Sequence, residues 1–221
     1  MKMNMMKPCI TMLACLLSCL FSCSAFAQGA RRGFGIKAGF NIVNVKNLRS
    51  VSDAGSGSRA GFMAGAYLAP PSRGIMGYRS ELIFSRQGYD FKTSRVTGDM
   101  IMDYILLPQL MTINISKFLQ VQAGVQVSFL IKAKADSVST VSMQPGSKQV
   151  MDYYNRLNYG VAGGIELNPV GGLIIGGRYN TFFGSLTDQY APGAAGLPSF
   201  IPRDGRKLKN SLVQFYIGYQ F

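Results

Sequence analysis

The sequence predicts an all-β fold, an eight-stranded antiparallel up-and-down transmembrane β-barrel with long outer loops and short periplasmic turns. Three observations predict it. Segments in which apolar and polar residues alternate recur along the chain, as in strands with one apolar and one polar face. Most of these segments reach the roughly 9–11 residues that a tilted strand needs to cross a bilayer, whereas ordinary strands have about 5–6. The connections alternate between long and short.

The alternation is clearest in the segment LQVQAGVQVSFLIK, from Leu119 to Lys132. All seven residues in phase with Leu119 are apolar, and six of the seven in the other phase are polar or glycine. Leu130 is the exception. This segment is the fifth predicted strand.

The other predicted strands repeat this pattern. They cover residues 33–43, 59–69, 75–89, 101–115, 156–168, 173–183 and 211–221. The fourth is apolar on both faces in its middle, and it contains Pro108, which cannot donate a ladder hydrogen bond and therefore predicts an edge or a bulge. Polar, glycine-containing stretches predict long loops. These loops cover residues 44–58, 90–100, 133–155 and 184–210.

An even number of strands places both termini on the periplasmic side. The apolar face is expected to contact lipid, since a sheet spans a membrane only if it closes and pairs its backbone polar groups. The alternative is a soluble sandwich or lipocalin-like barrel, in which the apolar face points inward. The strand pattern alone is the same in both.

The first residues have the pattern of a secretory signal peptide. Lys2 and Lys7 precede a short apolar segment at residues 10–21, and Ala25–Ala27 is an A-x-A cleavage site. The predicted domains are therefore a signal peptide at 1–27 and an outer-membrane β-barrel domain at 28–221.

All four cysteines lie within the predicted signal peptide, so the mature chain is expected to have no disulfide and no cysteine metal site. The alternative is lipoprotein-type cleavage, which would leave a lipid on Cys23.

Composition narrows the function. The chain has no histidine, so the commonest general base and imidazole ligand are missing, and we expect no catalytic residue, no metal and no cofactor. The absence of histidine excludes the class of small barrel enzymes that pair a histidine with a serine or an acid. The net charge of +13 predicts an anionic partner, which for an exported chain is lipid or lipopolysaccharide. Nucleic acid is not expected, because the basic residues are scattered.

Charged residues on the polar strand faces predict a network inside the barrel. An eight-stranded barrel is just wide enough for side chains to fill, and unpaired buried charges are costly. We therefore expect both glutamates of the chain to pair with cations there. The predicted lumen charge network is Lys37, Arg79, Glu81, Lys132, Glu166 and Arg178. The alternative is a narrow path that prefers anions.

A second set of basic residues lies in or beside the predicted outer loops, where lipid phosphates are found. The possible phosphate contacts are Arg49, Arg59, Lys92, Arg95, Arg203, Arg206, Lys207 and Lys209. The alternative is a solvated charged rim.

Three segments, GFGIKAGFN, YILLPQLMTINIS and NYGVAGGIELNPVGGLIIGGRYN, resemble the PorT-type, porin-family outer-membrane β-barrel proteins of Bacteroidetes. The resemblance covers about residues 33–221. It implies a Gram-negative outer membrane, and a few members serve type IX protein secretion. Members often carry an acidic residue where Leu106 stands here, between Tyr104 and Pro108, so the role of that carboxylate does not carry over.

These patterns together predict a structural or binding protein of the cell surface. The alternatives are an accessory component of a protein-secretion machine, which would have envelope protein partners, and a low-conductance, anion-preferring channel.

Overall fold

The computed structural model describes residues 33–46, 57–72, 74–92, 97–138, 151, 154–185 and 209–221. The strands are β1 (Phe34–Lys46), β2 (Gly57–Leu68), β3 (Met76–Lys92), β4 (Thr97–Asn114), β5 (Leu119–Val138), β6 (Leu157–Leu167), β7 (Leu173–Phe182) and β8 (Lys209–Gln220). Each strand is antiparallel to the next, and β8 pairs with β1 to close the barrel. The predicted eight-stranded up-and-down barrel is confirmed. None of the described residues forms a helix long and apolar enough to cross a membrane.

The apolar faces of the strands point outward. On β1, for example, Phe34, Ile36, Phe40 and Ile42 are between 39% and 52% exposed, whereas the alternate residue Asn41 is fully buried. Large apolar side chains cover the outside of the other strands in the same way. The soluble alternative, which needs the apolar face inside, is therefore wrong.

The outward apolar band has the same length on four of the eight strands. On four strands it is nine residues long, at 34–42 in β1, 76–84 in β3, 105–113 in β4 and, in β8 with the terminal residue, 213–221. The next outward residue toward the long-loop end is polar on each strand. These residues are Asn44, Arg86, Asp103 and Ser211. Nine residues match the length that a tilted strand needs to cross a bilayer, about 9–11.

One polar group lies within this band, on the outside of β3 and β4. The Gln109 amide donates to Ser80 Oγ at 3.0 Å, and the Tyr78 hydroxyl donates to Gln109 Oε1. Both polar atoms of the Gln109 side chain therefore have a partner within the protein, which lowers the cost of placing the amide at a lipid-facing position.

All four predicted loops are partly strand. Within the predicted loop at 44–58, β1 continues to Lys46 and β2 begins at Gly57, and β8 begins at Lys209 within the predicted loop at 184–210.

Within the predicted loop at 90–100, β3 continues to Lys92 and β4 begins at Thr97, and these two residues pair. Strand β5 extends to Val138, well past the predicted start of its loop at residue 133. The three strands continue past the apolar band, where the outer face meets water and its residues need not be apolar, so the alternation that marks a membrane strand is lost.

Pro108 lies in the middle of β4, between β3 and β5, and a closed barrel has no edge for it. Pairing of β3 with β4 is interrupted there, between Ser80↔Gln109 and Ile83↔Leu106, and resumes in the same register, so the predicted edge or bulge at Pro108 is wrong. The interruption is expected because proline has no N–H to donate.

Candidate functional site in the barrel lumen

Glu81 of β3 lies at the centre of a buried ionic network. Its carboxylate accepts two hydrogen bonds from Arg178 of β7, from Nη1 to Oε2 at 2.6 Å and from Nη2 to Oε1 at 2.9 Å. Lys37 Nζ of β1 donates to Oε1 at 2.7 Å. The bidentate arginine contact is the strongest kind of charge-assisted pair.

Glu166 of β6 forms the second half of the network. Arg79 Nη1 donates to its Oε2 at 2.5 Å, and the Tyr216 hydroxyl donates to its Oε1 at 2.7 Å. Gln122 joins the halves: its amide nitrogen donates to Glu166 Oε1 at 3.2 Å, and its oxygen accepts from Arg178 Nη2 at 2.9 Å. The contacts thus link strands from all sides of the barrel.

Two tyrosine rings contact the cations of the network. The Arg79 guanidinium lies 4.5 Å from the centre of the Tyr67 ring, and Lys37 Nζ lies 4.3 Å from the centre of the Tyr216 ring. Contacts of this kind are favourable, and more so when water is excluded.

Glycines make room for these rings. Gly35 is the register partner of Tyr67, and Gly176 is the register partner of Tyr216. A Cβ atom at Gly35 would lie 2.3 Å from the Tyr67 ring, and one at Gly176 would lie 2.5 Å from the Tyr216 ring. The inward glycines therefore let the tyrosines lie across the lumen.

We call the five ionised residues the charged layer. They are Lys37, Arg79, Glu81, Glu166 and Arg178. Three cations face two carboxylates, and every one of these side chains is at most 3% exposed. A side chain lining a water-filled channel would keep accessible surface. At this level the lumen is closed by protein.

Lys132, the sixth residue of the predicted network, is not part of it. Its side chain is exposed on the outer surface of β5. The register between β4 and β5 shifts there, since Tyr104 pairs with Leu130 and Asp103 pairs with Lys132. This β-bulge leaves Ile131 as an extra residue and turns the following side chains to the opposite face. The adjacent apolar pair Leu130 and Ile131 was the sequence signal.

Sequence reasoning missed Tyr67, Gln122 and Tyr216 as members of the network. All three lie on the inward face, in phase with the charged residues of their own or neighbouring strands. For Tyr67 and Tyr216, an aromatic residue on a face made mostly of glycine and polar residues was the available signal.

Beyond the charged layer the lumen changes character. A layer of amides and hydroxyls comes first, in which Asn41 donates to Ser85 Oγ at 2.9 Å and Gln214 donates to Asn41 Oδ1 at 3.2 Å. Next comes an apolar and aromatic group that we call the loop-end cluster. It consists of Val43, Tyr89, Met100, Met102, Tyr104, Leu130, Ala133, Tyr154, Phe182 and Leu212.

Leu106, which stands where the resembled family often has an acid, is inward and fully buried on the β4 wall. In this chain the carboxylates of the lumen are supplied by β3 and β6 instead.

The possible phosphate contacts predicted in the loops stay a prediction. Arg49, Arg95, Arg203, Arg206 and Lys207 lie outside the described residues. Arg59, Lys92 and Lys209 lie in strands, but their side chains are outside the described part. Within the described ranges, no group of three or more histidine, cysteine or acidic residues is placed to hold a metal ion.

A closed antiparallel barrel with an outward apolar band and a polar, filled interior defines the class of transmembrane β-barrel proteins. The family model "Outer membrane protein beta-barrel domain" matches residues 26–188, and the chain belongs to this family. It is an outer-membrane β-barrel protein. No curated protein matches the chain.

Several solved outer-membrane structures are similar in fold. Ail, the attachment invasion locus protein of Yersinia pestis, is 15% identical with a TM-score of 0.46, over 87% of this chain and 100% of that chain. Neisserial surface protein A is 12% identical with a TM-score of 0.48, over 87% and 100%. OprG of Pseudomonas aeruginosa is 15% identical with a TM-score of 0.38, over 88% and 98%.

Proposed function

We propose that this outer-membrane barrel acts at the cell surface as a structural or binding protein with a side-chain-filled lumen, rather than as a channel or an enzyme. The charged layer is the observation that carries the proposal. The Glu81 and Arg178 side chains are 0% exposed, and their bidentate pair spans the interior from β3 to β7.

A low-conductance channel would have to open this layer. The five ionised residues of the layer include one more cation than carboxylates. A channel through this layer would therefore be expected to prefer anions. Opening would separate Arg178 from Glu81 and break both hydrogen bonds of this bidentate pair. The closed state is therefore the resting state in this proposal.

The lengths of the strands support a binding role at the long-loop end. Strands β3, β4 and β5 have 17, 18 and 20 residues, whereas the other five have 10–13. The three long strands remain paired beyond the apolar band and form a sheet that projects from it. We propose that this sheet stands outside the cell, after removal of residues 1–27.

Aromatic residues lie at the opposite end of the apolar band. The rings of Phe34 and Phe221 lie 5.8 Å apart, and Tyr219 packs edge-on against Phe221 at 5.3 Å. Outer-membrane barrels carry aromatic girdles at both membrane interfaces. This ring cluster would form part of the periplasmic girdle, beside the short turns.

Within the family, we propose that the chain is of the PorT type, on the three resembling segments given above. An accessory role in type IX-like protein secretion would follow from that resemblance. Co-purification of an envelope protein with the intact barrel, lost when the projecting strands are shortened, would favour it over a purely structural role.

Cysteine labelling in intact cells tests the surface placement. Residues 28–221 contain no cysteine, so a single one is introduced at Lys134, exposed on the projecting sheet, or at Lys117, exposed in a short turn. A membrane-impermeant maleimide should label Lys134→Cys in intact cells and Lys117→Cys only after lysis. The reverse result would contradict the proposed orientation, and labelling of both in intact cells would contradict insertion.

A further inference from the structure

The outer surface of β3, β4 and β5 carries a row of charged residues. Arg86, Asp103 and Lys132 are register partners across the three strands, and all three lie on the outward face. The β-bulge at residues 130–132 brings Lys132 to this face. Lys134, two residues further along β5, is exposed on the same face.

This row lies immediately beyond the apolar band. The preceding outward row consists of Phe84, Ile105 and Phe129, which are also register partners. The Arg86 guanidinium lies 5.2 Å from the centre of the Phe62 ring, and Ile131 is 50% exposed beside the row. Apolar residues therefore meet cations along one line, at the height where acyl chains meet headgroups.

The cations of this row have unused hydrogen-bonding capacity. Asp103 accepts from Arg86 Nε at 2.7 Å and from Nη2 at 3.1 Å, which leaves Nη1 for a ligand. Neither Lys132 nor Lys134 has an ion-pair partner among the residues that the structure describes. The row itself carries a net charge of +1, and Lys134 raises the charge of these four residues to +2. Asp99, on the same face of β4 and two residues from the register partner of Lys134, lies on the side away from the apolar band.

The spacing suits a phosphorylated headgroup. Adjacent strands are about 4.8 Å apart, so the backbones of Arg86 and Lys132 are separated by about 10 Å. The backbones of Lys132 and Lys134 are separated by about 7 Å along the strand. Flexible side chains of this length can converge on one phosphate, and cations near a membrane surface attract anionic headgroups.

We propose that Arg86, Lys132 and Lys134 form a binding site for the phosphate of an outer-leaflet lipid headgroup, the phosphorylated glucosamine of lipid A. The neighbouring Phe129 and Ile131 contact its acyl chains. This inference rests on the proposed surface orientation, because it places the row at the outer leaflet.

The test uses the refolded full-length mature barrel in detergent micelles, titrated with diphosphoryl lipid A and read by native mass spectrometry. The variant is Lys132→Gln combined with Lys134→Gln. Lys117→Gln, an exposed lysine at the short-turn end, is the matched control. The double variant should bind the first lipid about tenfold or more weakly, since each lysine near the surface contributes about a fivefold effect, and the control should bind as wild type.

A charge-retaining variant sharpens the test. Lys132→Arg combined with Lys134→Arg should retain wild-type affinity, because arginine also binds phosphate. Unchanged binding by the glutamine double variant, or an equal loss in Lys117→Gln, would overturn the site. Competition by inorganic phosphate at the affinity of lipid A would assign a free-anion site instead.

Failure of the site and failure of the surface orientation give different results. If the wild-type barrel and the variant with Lys132→Gln and Lys134→Gln both fold and bind lipid A equally, only the site is refuted. The labelling pattern of Lys134→Cys and Lys117→Cys tests the orientation without any lipid titration.

Discussion

The charged layer and the loop-end cluster fill the lumen of the same barrel with side chains of opposite polarity. Beside the charged layer the outer face is apolar, and the lumen holds ions and amides. Beside the loop-end cluster the outer face carries Arg86, Lys132 and Lys134, and the lumen holds tyrosine, methionine and leucine. The distribution of polarity reverses at the row of Arg86, Asp103 and Lys132.

This reversal follows from the surroundings. Lipid requires an apolar exterior, so within the band the polar half of each strand must go inside and be paired there. Past the band the exterior meets water, and the hydrophobic effect again favours an apolar interior. The barrel therefore has the polarity of a membrane protein within the apolar band, and it resembles a soluble β-protein in the sheet that projects beyond the band.

The largest effect is expected from Glu81→Gln. The change leaves Lys37, Arg79 and Arg178 with one carboxylate, and it should lower the free energy of unfolding by about 3–5 kcal/mol. Guanidinium unfolding of the refolded barrel, followed by circular dichroism, measures it. Asp103→Asn is the control, because it removes a carboxylate from a partly exposed pair worth about 0–1 kcal/mol. If both variants lost the same free energy of unfolding, the charged layer would contribute no more to stability than the partly exposed pair.

In the loop-end cluster, a substitution is expected to destabilise the barrel by creating a cavity, whereas Glu81→Gln does so by leaving a charge unpaired. Met102 is 0% exposed there, so Met102→Ala should cost about 2–5 kcal/mol of unfolding free energy. Met111→Ala on the same strand is the control, since Met111 is 49% exposed on the lipid-facing side. If the outward substitution cost as much in the same unfolding measurement, the assignment of inner and outer faces would be wrong.

Alanine substitutions at the neighbouring Gly176 and Gly177 distinguish the effect of packing around the charged layer on stability from the effect of replacing a glycine in the backbone. A Cβ at Gly176 would meet the Tyr216 ring at 2.5 Å, whereas at Gly177 the nearest atoms are 3.6 Å away. We expect Gly176→Ala to destabilise the barrel by about 1–3 kcal/mol, because the ring must move away from Lys37. Gly177→Ala should stay near wild type in the same thermal or chemical unfolding experiment. Similar values for both would remove the packing argument.

The smallest effect is expected from Lys37→Met. The network then holds two cations and two carboxylates, and Arg178 still bonds both oxygens of Glu81. No charge is left without a counter-charge, and the methionine side chain is apolar and of similar length, so we expect a change under about 1 kcal/mol. Adding Lys37→Met to Glu81→Gln should recover part of the lost stability. A loss as large as that of Glu81→Gln would show that the network needs all three cations.

The alternation of apolar and polar residues predicts much of this fold. It gives the eight strands, their antiparallel order and the outward apolar face, and it puts Glu81, Glu166, Arg79, Arg178 and Lys37 on the inward face. It fails where the surroundings change. Sequence alone predicts loop for strand residues 44–46, 57–58, 90–92, 97–100, 133–138 and 209–210, because a strand in water need not be apolar on its outer face.

Two features required three-dimensional information. The β-bulge that turns Lys132 outward depends on the pairing of β5 with β4, and its sequence trace is only the adjacent pair Leu130 and Ile131. The contacts of Tyr67 and Tyr216 depend on which glycine each faces across the sheet, and register is not visible in one strand alone.

Single-channel recording of the purified, refolded protein in a planar bilayer tests the central claim most directly. The charged layer has no accessible surface around Glu81 and Arg178, so we expect a folded wild-type barrel that gives no discrete conductance steps. Heat-modifiable migration in gels confirms that the silent protein is folded. Discrete, anion-selective openings of the folded wild-type barrel would contradict the account, because the charged layer would then line a path instead of closing it.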